Sequence, residues 1–105
     1  GVPEHITVLE APESGDAGQE LRRGILFRIT DHTGIAVHSV APVVAPVAGG
    51  GEVISVIEVD AQIPGAFEAK VKLGPAEGMN LFEIRAGDLP ARMVRIEANA
   101  PPLMP

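Results

Sequence analysis

Four aspartates, Asp16, Asp31, Asp60 and Asp88, each fall in a stretch rich in turn-forming residues. Carboxylates gathered with loop carbonyls at one end of a fold are what a calcium ion requires, and it requires about six to eight oxygens. No Asp-x-Asp run supplies them here. Each Asp is better explained by its own side chain, which accepts backbone N–H groups and closes turns. His5, His32 and His38 are the remaining metal-ligand types, and the sequence offers no close-spaced pair among them. Ser39 or Ser55, with His38 and Asp31, supplies the residue types of a nucleophilic triad, but no strained nucleophile turn accompanies them. Arg22-Arg23 would suit an anion, but the pair is better explained as solvating the start of a strand. Gly49-Gly50-Gly51 is followed by neither Lys-Ser/Thr nor a helix whose N-terminus would hold a phosphate, so it reads as a turn. No catalytic, cofactor-binding or metal-ligating residue is assigned, and the chain reads as non-enzymatic.

The elements that would position these residues are strands. His5 to Glu10 alternates, with Ile6 and Val8 on one side. Ala11 to Glu20 is turn chemistry throughout, with Leu21 free to tuck back as a plug. In Gly24 to Thr30, Ile25, Phe27 and Ile29 share one face, while Arg28 and Thr30 mark the other as the wetter one. Asp31-His32-Thr33-Gly34 is a turn in which Asp31 accepts an N–H two residues on and Gly34 tolerates positive φ. Ile35 to Val37 continues briefly. Glu52 to Val59 sets Val53, Ser55, Ile57 and Val59 against Ile54, Val56 and Glu58. Ala66 to Leu73 has the cleanest alternation, with Phe67, Ala69, Val71 and Leu73 inward and Glu68, Lys70 and Lys72 outward. Met79 to Ala86 directs Phe82, Ile84 and Ala86 inward, and Arg92 to Ala98 does so with Val94, Ile96 and Ala98.

Between them lies the run Val40 to Ala48, apolar on both parities and containing Pro42 and Pro46. Residues four apart in a strand aim their N–H groups at the same neighbour, so both missing donors fall along one side. A central strand does not tolerate this; an edge strand is protected by it. The run is expected to be an edge strand, or one bulged at its prolines. One of its faces belongs to the core. The other carries Val43, Ala45 and Val47, an interaction patch for a neighbouring domain or partner if it is open to solvent.

The chain has 105 residues, 46% of them hydrophobic, with three Phe, no Trp or Tyr, 12 Gly and 10 Pro. That is one domain with a Val/Ile/Leu/Ala core and frequent turns, and about seven strands with turns every 8–12 residues or so indicate an all-β, immunoglobulin-like sandwich of two antiparallel sheets. The net charge of −6 argues against nucleic acid, which calls for a basic stripe. No apolar run reaches the roughly 18 residues of a membrane span, so membrane insertion is not expected. With no cysteine, disulfides and thiolate metal sites are excluded. Residues 1–98 are read as the domain and 99–105, NAPPLMP, as a Pro-rich linker or tail.

Over Ile6 to Ala98 the chain resembles the bacterial immunoglobulin-like repeats of the invasin and intimin type. The resemblance is carried by the order and spacing of GDAGQEL, ILFRITDHTGIAV, SVAPVVAPVAGGGEV, VDAQIPGAFEAKVKLG and GMNLFEIRAGDLP. The prolines of the third piece and a longer Asp60 to Gly65 turn depart from the family's pattern. The resemblance implies a non-catalytic spacer module of a larger bacterial cell-surface or secreted protein, extracellular, with a possible share in adhesion. Its partners would then be neighbouring domains, or a protein or glycan ligand. The alternatives are a carbohydrate- or protein-binding module, or an accessory domain of a secreted hydrolase. Sugar platforms use exposed aromatics, and Phe27, Phe67 and Phe82 all fall on expected core faces.

Overall fold

The computed structural model describes residues 1–59 and 63–100. Eight strands occupy them: β1 (His5–Glu10), β2 (Ser14–Asp16), β3 (Ile25–Thr30), β4 (Val43–Ala48), β5 (Glu52–Glu58), β6 (Ala66–Lys72), β7 (Gly78–Arg85) and β8 (Arg92–Asn99). They form two four-stranded sheets, ordered β1-β3-β6-β5 and β2-β8-β7-β4. The core between them comes from the inward parities read in the sequence. Ile25, Phe27, Ala69, Val71, Leu73, Phe82, Ile84, Val94, Ile96 and Ala98 form one buried cluster. Phe67 is half-buried and stacks on Phe27 across the β3–β6 register, with ring centroids 5.6 Å apart. At one end Ile29, Val37 and Ala86 form a smaller cluster with Ile6, Val40 and Leu89 packed on it.

Three features differ from the sequence reading. The first is β2, within the stretch expected to be loop. Ser14-Gly15-Asp16 has low strand propensity, and β2 exists because β8 receives it in parallel, so this sheet is not wholly antiparallel. The Glu97 N–H donates to the Glu13 carbonyl at 2.9 Å and the Ala17 N–H to the Asn99 carbonyl at 2.8 Å. Gly15 leaves room for the buried Leu21 plug: a Cβ there would lie 2.2 Å from Leu21 Cδ2.

The second is Thr30. Its face was expected to be wet, yet it is buried, because Ala36 bridges to it and Val37 donates its N–H to the Ile29 carbonyl at 2.9 Å. The third is a bulge in β5 between Val53 and Ser55. An extra residue resets a strand's alternation. Val53 and Val56, of opposite parity, therefore both pack on the core, and Ile54 and Ile57 are half-exposed.

The chain changes sheets between β4 and β5 at Gly49-Gly50-Gly51. Gly49 and Gly50 have φ of +94° and +79°, and a Cβ on Gly49 would lie 2.4 Å from the Met79 carbonyl oxygen. Beside this corner the buried Asn80 accepts the Gly74 N–H on Oδ1 at 3.0 Å.

Candidate functional site

The Asp31 turn is built as its chemistry requires. Oδ1 of Asp31 accepts from the Thr33 hydroxyl at 2.6 Å, the Thr33 N–H at 2.8 Å and the Ile35 N–H at 3.1 Å. The Gly34 N–H donates to the Asp31 carbonyl at 3.1 Å, and Gly34 has φ of +86°. The Thr33 hydroxyl foremost, then the Ile35 N–H, holds the Asp31 carboxyl at about 2, below its ordinary 3.8. An oxygen engaged three times over closes a turn.

His38 meets Glu58, Nδ1 to Oε1 at 3.5 Å, with both side chains largely solvated. It is joined to neither Ser39, Ser55 nor Asp31 among the described residues. Nor does any group of three His, Asp or Glu side chains gather to hold a metal ion among those residues; Asp60 lies outside them.

Arg22 and Arg23 lie exposed on the rim of a groove of about 580 Å³ at the end of β1. Leu21, Ala11 and Pro12 supply its apolar lining, and Glu10 and Glu20 face the same space as the arginines. The opposed carboxylates leave the groove without a single sign of charge. Arg22 has a backbone task as well, its carbonyl accepting Lys70 Nζ at 2.7 Å.

The remaining candidate is the outer face of β4. Among the described strands β4 is an edge, paired with β7 alone, and it begins at Val43, so that Pro42 lies outside it. Pro46 lies opposite Phe82, and a register shift separates it from Ala48. Val44 is buried, whereas Val43 is 60% and Val47 49% exposed, with Ala45 half-buried between them. The structure thus keeps Val43, Ala45 and Val47 together on an open face. Sequence reading missed how far that face extends. Register carries it across β7 and β8: Ala45 lies beside Glu83 and Met93, Ala48 beside Leu81 and Arg95, and Met79 beside Glu97. Met79 and Met93 are partly exposed too. Their outward parity was legible in each strand; their adjacency to Val43 and Val47 needed the strand order.

Comparison with solved structures places this architecture. Domains 4 and 5 of the S-layer protein SbsC match over 94% of this chain and 53% of theirs, with TM-score 0.71 and 22% identity. The SbsC structure of domains 1–6 matches over 97% of this chain and 14% of its own, with TM-score 0.73 and 20% identity. FdeC, an Escherichia coli adhesin, matches over 91% and 30%, with TM-score 0.69 and 18% identity. The chain is an immunoglobulin-like sandwich. It spans about half or less of each of those chains. No family model and no curated protein matches the sequence, so the likeness is one of fold.

Proposed function

We propose that this chain is a non-catalytic structural module of a larger bacterial cell-surface or secreted protein, of the kind the invasin and intimin resemblance implies. The observation that carries the reading is the sandwich's likeness to parts of longer surface proteins, S-layer domains and an adhesin. Its side chains support the same reading. The residue types that would do chemistry are spent on closing the Asp31 turn, on a solvated His38–Glu58 contact and on a groove of mixed charge. Asn99, read above as the first residue of the tail, ends β8; the residues after it, of which 101–105 lie outside the described residues, serve in this reading as a linker to a neighbouring domain, and Val43, Ala45 and Val47 as a docking patch. A glycan-binding role has less support, because Phe27 and Phe82 are buried and Phe67 is stacked on Phe27.

The test is made on the parent protein. Antibodies raised against this module should label intact bacteria that express it, or bind the protein in the culture medium. Exclusive recovery of the parent from the cytoplasm overturns the reading.

A further inference from the structure

The outer face of the β2-β8-β7-β4 sheet carries its charges in an order with a consequence. Cross-strand register sets out four rungs across β4, β7 and β8, and beyond the fourth Asp16 and Asn99 pair at the β2–β8 end of the face. The first holds Val43 and Arg85, the second Ala45, Glu83 and Met93, the third Ala48, Leu81 and Arg95, and the fourth Met79, Glu97 and Ser14. Val47, displaced by the register shift, sits at the third rung. Along the strands the rungs therefore read positive, negative, positive, negative. Glu83 and Arg85 already lie 2.9 Å apart within the chain. Around the charges lie Val43, Val47, Met79 and Met93, all partly or well exposed, and methionine adapts readily to a facing surface.

We infer that this face pairs with the same face of a second copy of the chain, through a two-fold axis lying across the strands between the second and third rungs. The inference rests on the docking-patch reading above and names its partner. Such an axis is isologous and sets each rung against its opposite in order. Arg85 then approaches Glu97 of the other copy, Glu83 approaches its Arg95, and Val47 and Ala48 meet its Ala45. A two-fold running along the strands would instead set each rung against itself, arginine against arginine and glutamate against glutamate. Alternation thus selects both the partner and its direction. Three strands and four rungs cover about 14 Å by 27 Å, roughly 400 Å², half of what a standard interface buries per partner. The pairing is accordingly weak for one isolated pair. It gains by effective concentration where many copies are tethered together.

Sedimentation velocity of the 105-residue chain at low salt, from about 10 μM to 2 mM, measures the pairing at the affinities a face this small provides. The expected result is a concentration-dependent dimer. Glu83→Arg or Arg95→Glu alone weakens it about tenfold or more, since each creates two like-charge encounters across the axis. Glu83→Arg with Arg95→Glu restores it to within about threefold, because the two sites lie on opposed rungs one strand apart, within reach of each other. Thermal melts establish that each variant is folded. A nitroxide on Ser14→Cys, mixed with isotope-labelled unmodified chain, should broaden the amide signals of Val43 and Arg85. A monomer at every concentration overturns the pairing and leaves the module reading standing. A dimer indifferent to the reversals, a double variant as weak as the single ones, or broadening centred on Glu97 overturns it as well.

Discussion

Asp31 and Asn80 show two ways in which one polar side chain holds a segment. Asp31 works locally, and its acceptor role was legible because Asp, Thr and Gly at those spacings define the turn whatever surrounds them. Its folded pKa lies below its ordinary value, so its contribution is present above about pH 4 and is lost as pH falls toward about 2. Asp31→Ala should therefore lower the melting temperature at pH 7, with the gap to the unsubstituted chain closing between pH 4 and 2 or so. Melts across that range check it; a constant gap would refute the turn's electrostatic role. Asn80 works in the interior. The sequence shows it entering a strand, but nothing local says that its amide will be buried and will accept the Gly74 N–H. Asn80→Ala leaves that donor unpaired and should cost about 1–3 kcal/mol in denaturant unfolding. Thr30 was misread for a similar reason. The segment that covers it lies six residues further on, after a turn whose direction a polarity pattern does not give.

Among the elements, β4 and β5 divide what sequence can and cannot tell. The edge position of β4 followed from Pro46, because a missing N–H constrains hydrogen bonding in any surroundings; Pro42, expected to share that role, lies just before the strand. Pro46→Val returns a donor to the free side of the strand. We expect little change in melting temperature but earlier aggregation on heating, monitored by light scattering; unchanged aggregation would show that proline does not protect this edge. The bulge in β5 had no such signature. Val, Ile and Ser tolerate either register, and only the packing of both Val53 and Val56 reveals the reset. β2 was equally hidden, a strand made by its receptor rather than its own residues. At the corner between the sheets, Gly49→Ala meets both positive φ and the Met79 carbonyl. It should destabilise the fold by roughly 1–3 kcal/mol, measurable by chemical denaturation, and an unchanged midpoint would show that the corner relaxes freely.

For the whole molecule, fold class was the easiest property to read, since each strand's alternation is local and all of them agree. The candidate site was legible only in part. Val43, Ala45 and Val47 could be placed on one face of one strand, but the alternating charges beside them come from β7 and β8, and sheet order is not written in any one segment. The parallel pairing of β2 with β8 has a mechanical side. One strand lies near the beginning of the chain and the other near its end, side by side and pointing the same way. Tension applied through the two ends of the module draws them along each other in opposite senses. The bonds from Glu97 to Glu13 and from Ala17 to Asn99 are then sheared together rather than peeled apart one by one. Three residues of turn-like sequence thus act as a clasp against stretching, where a linking module under load would need one.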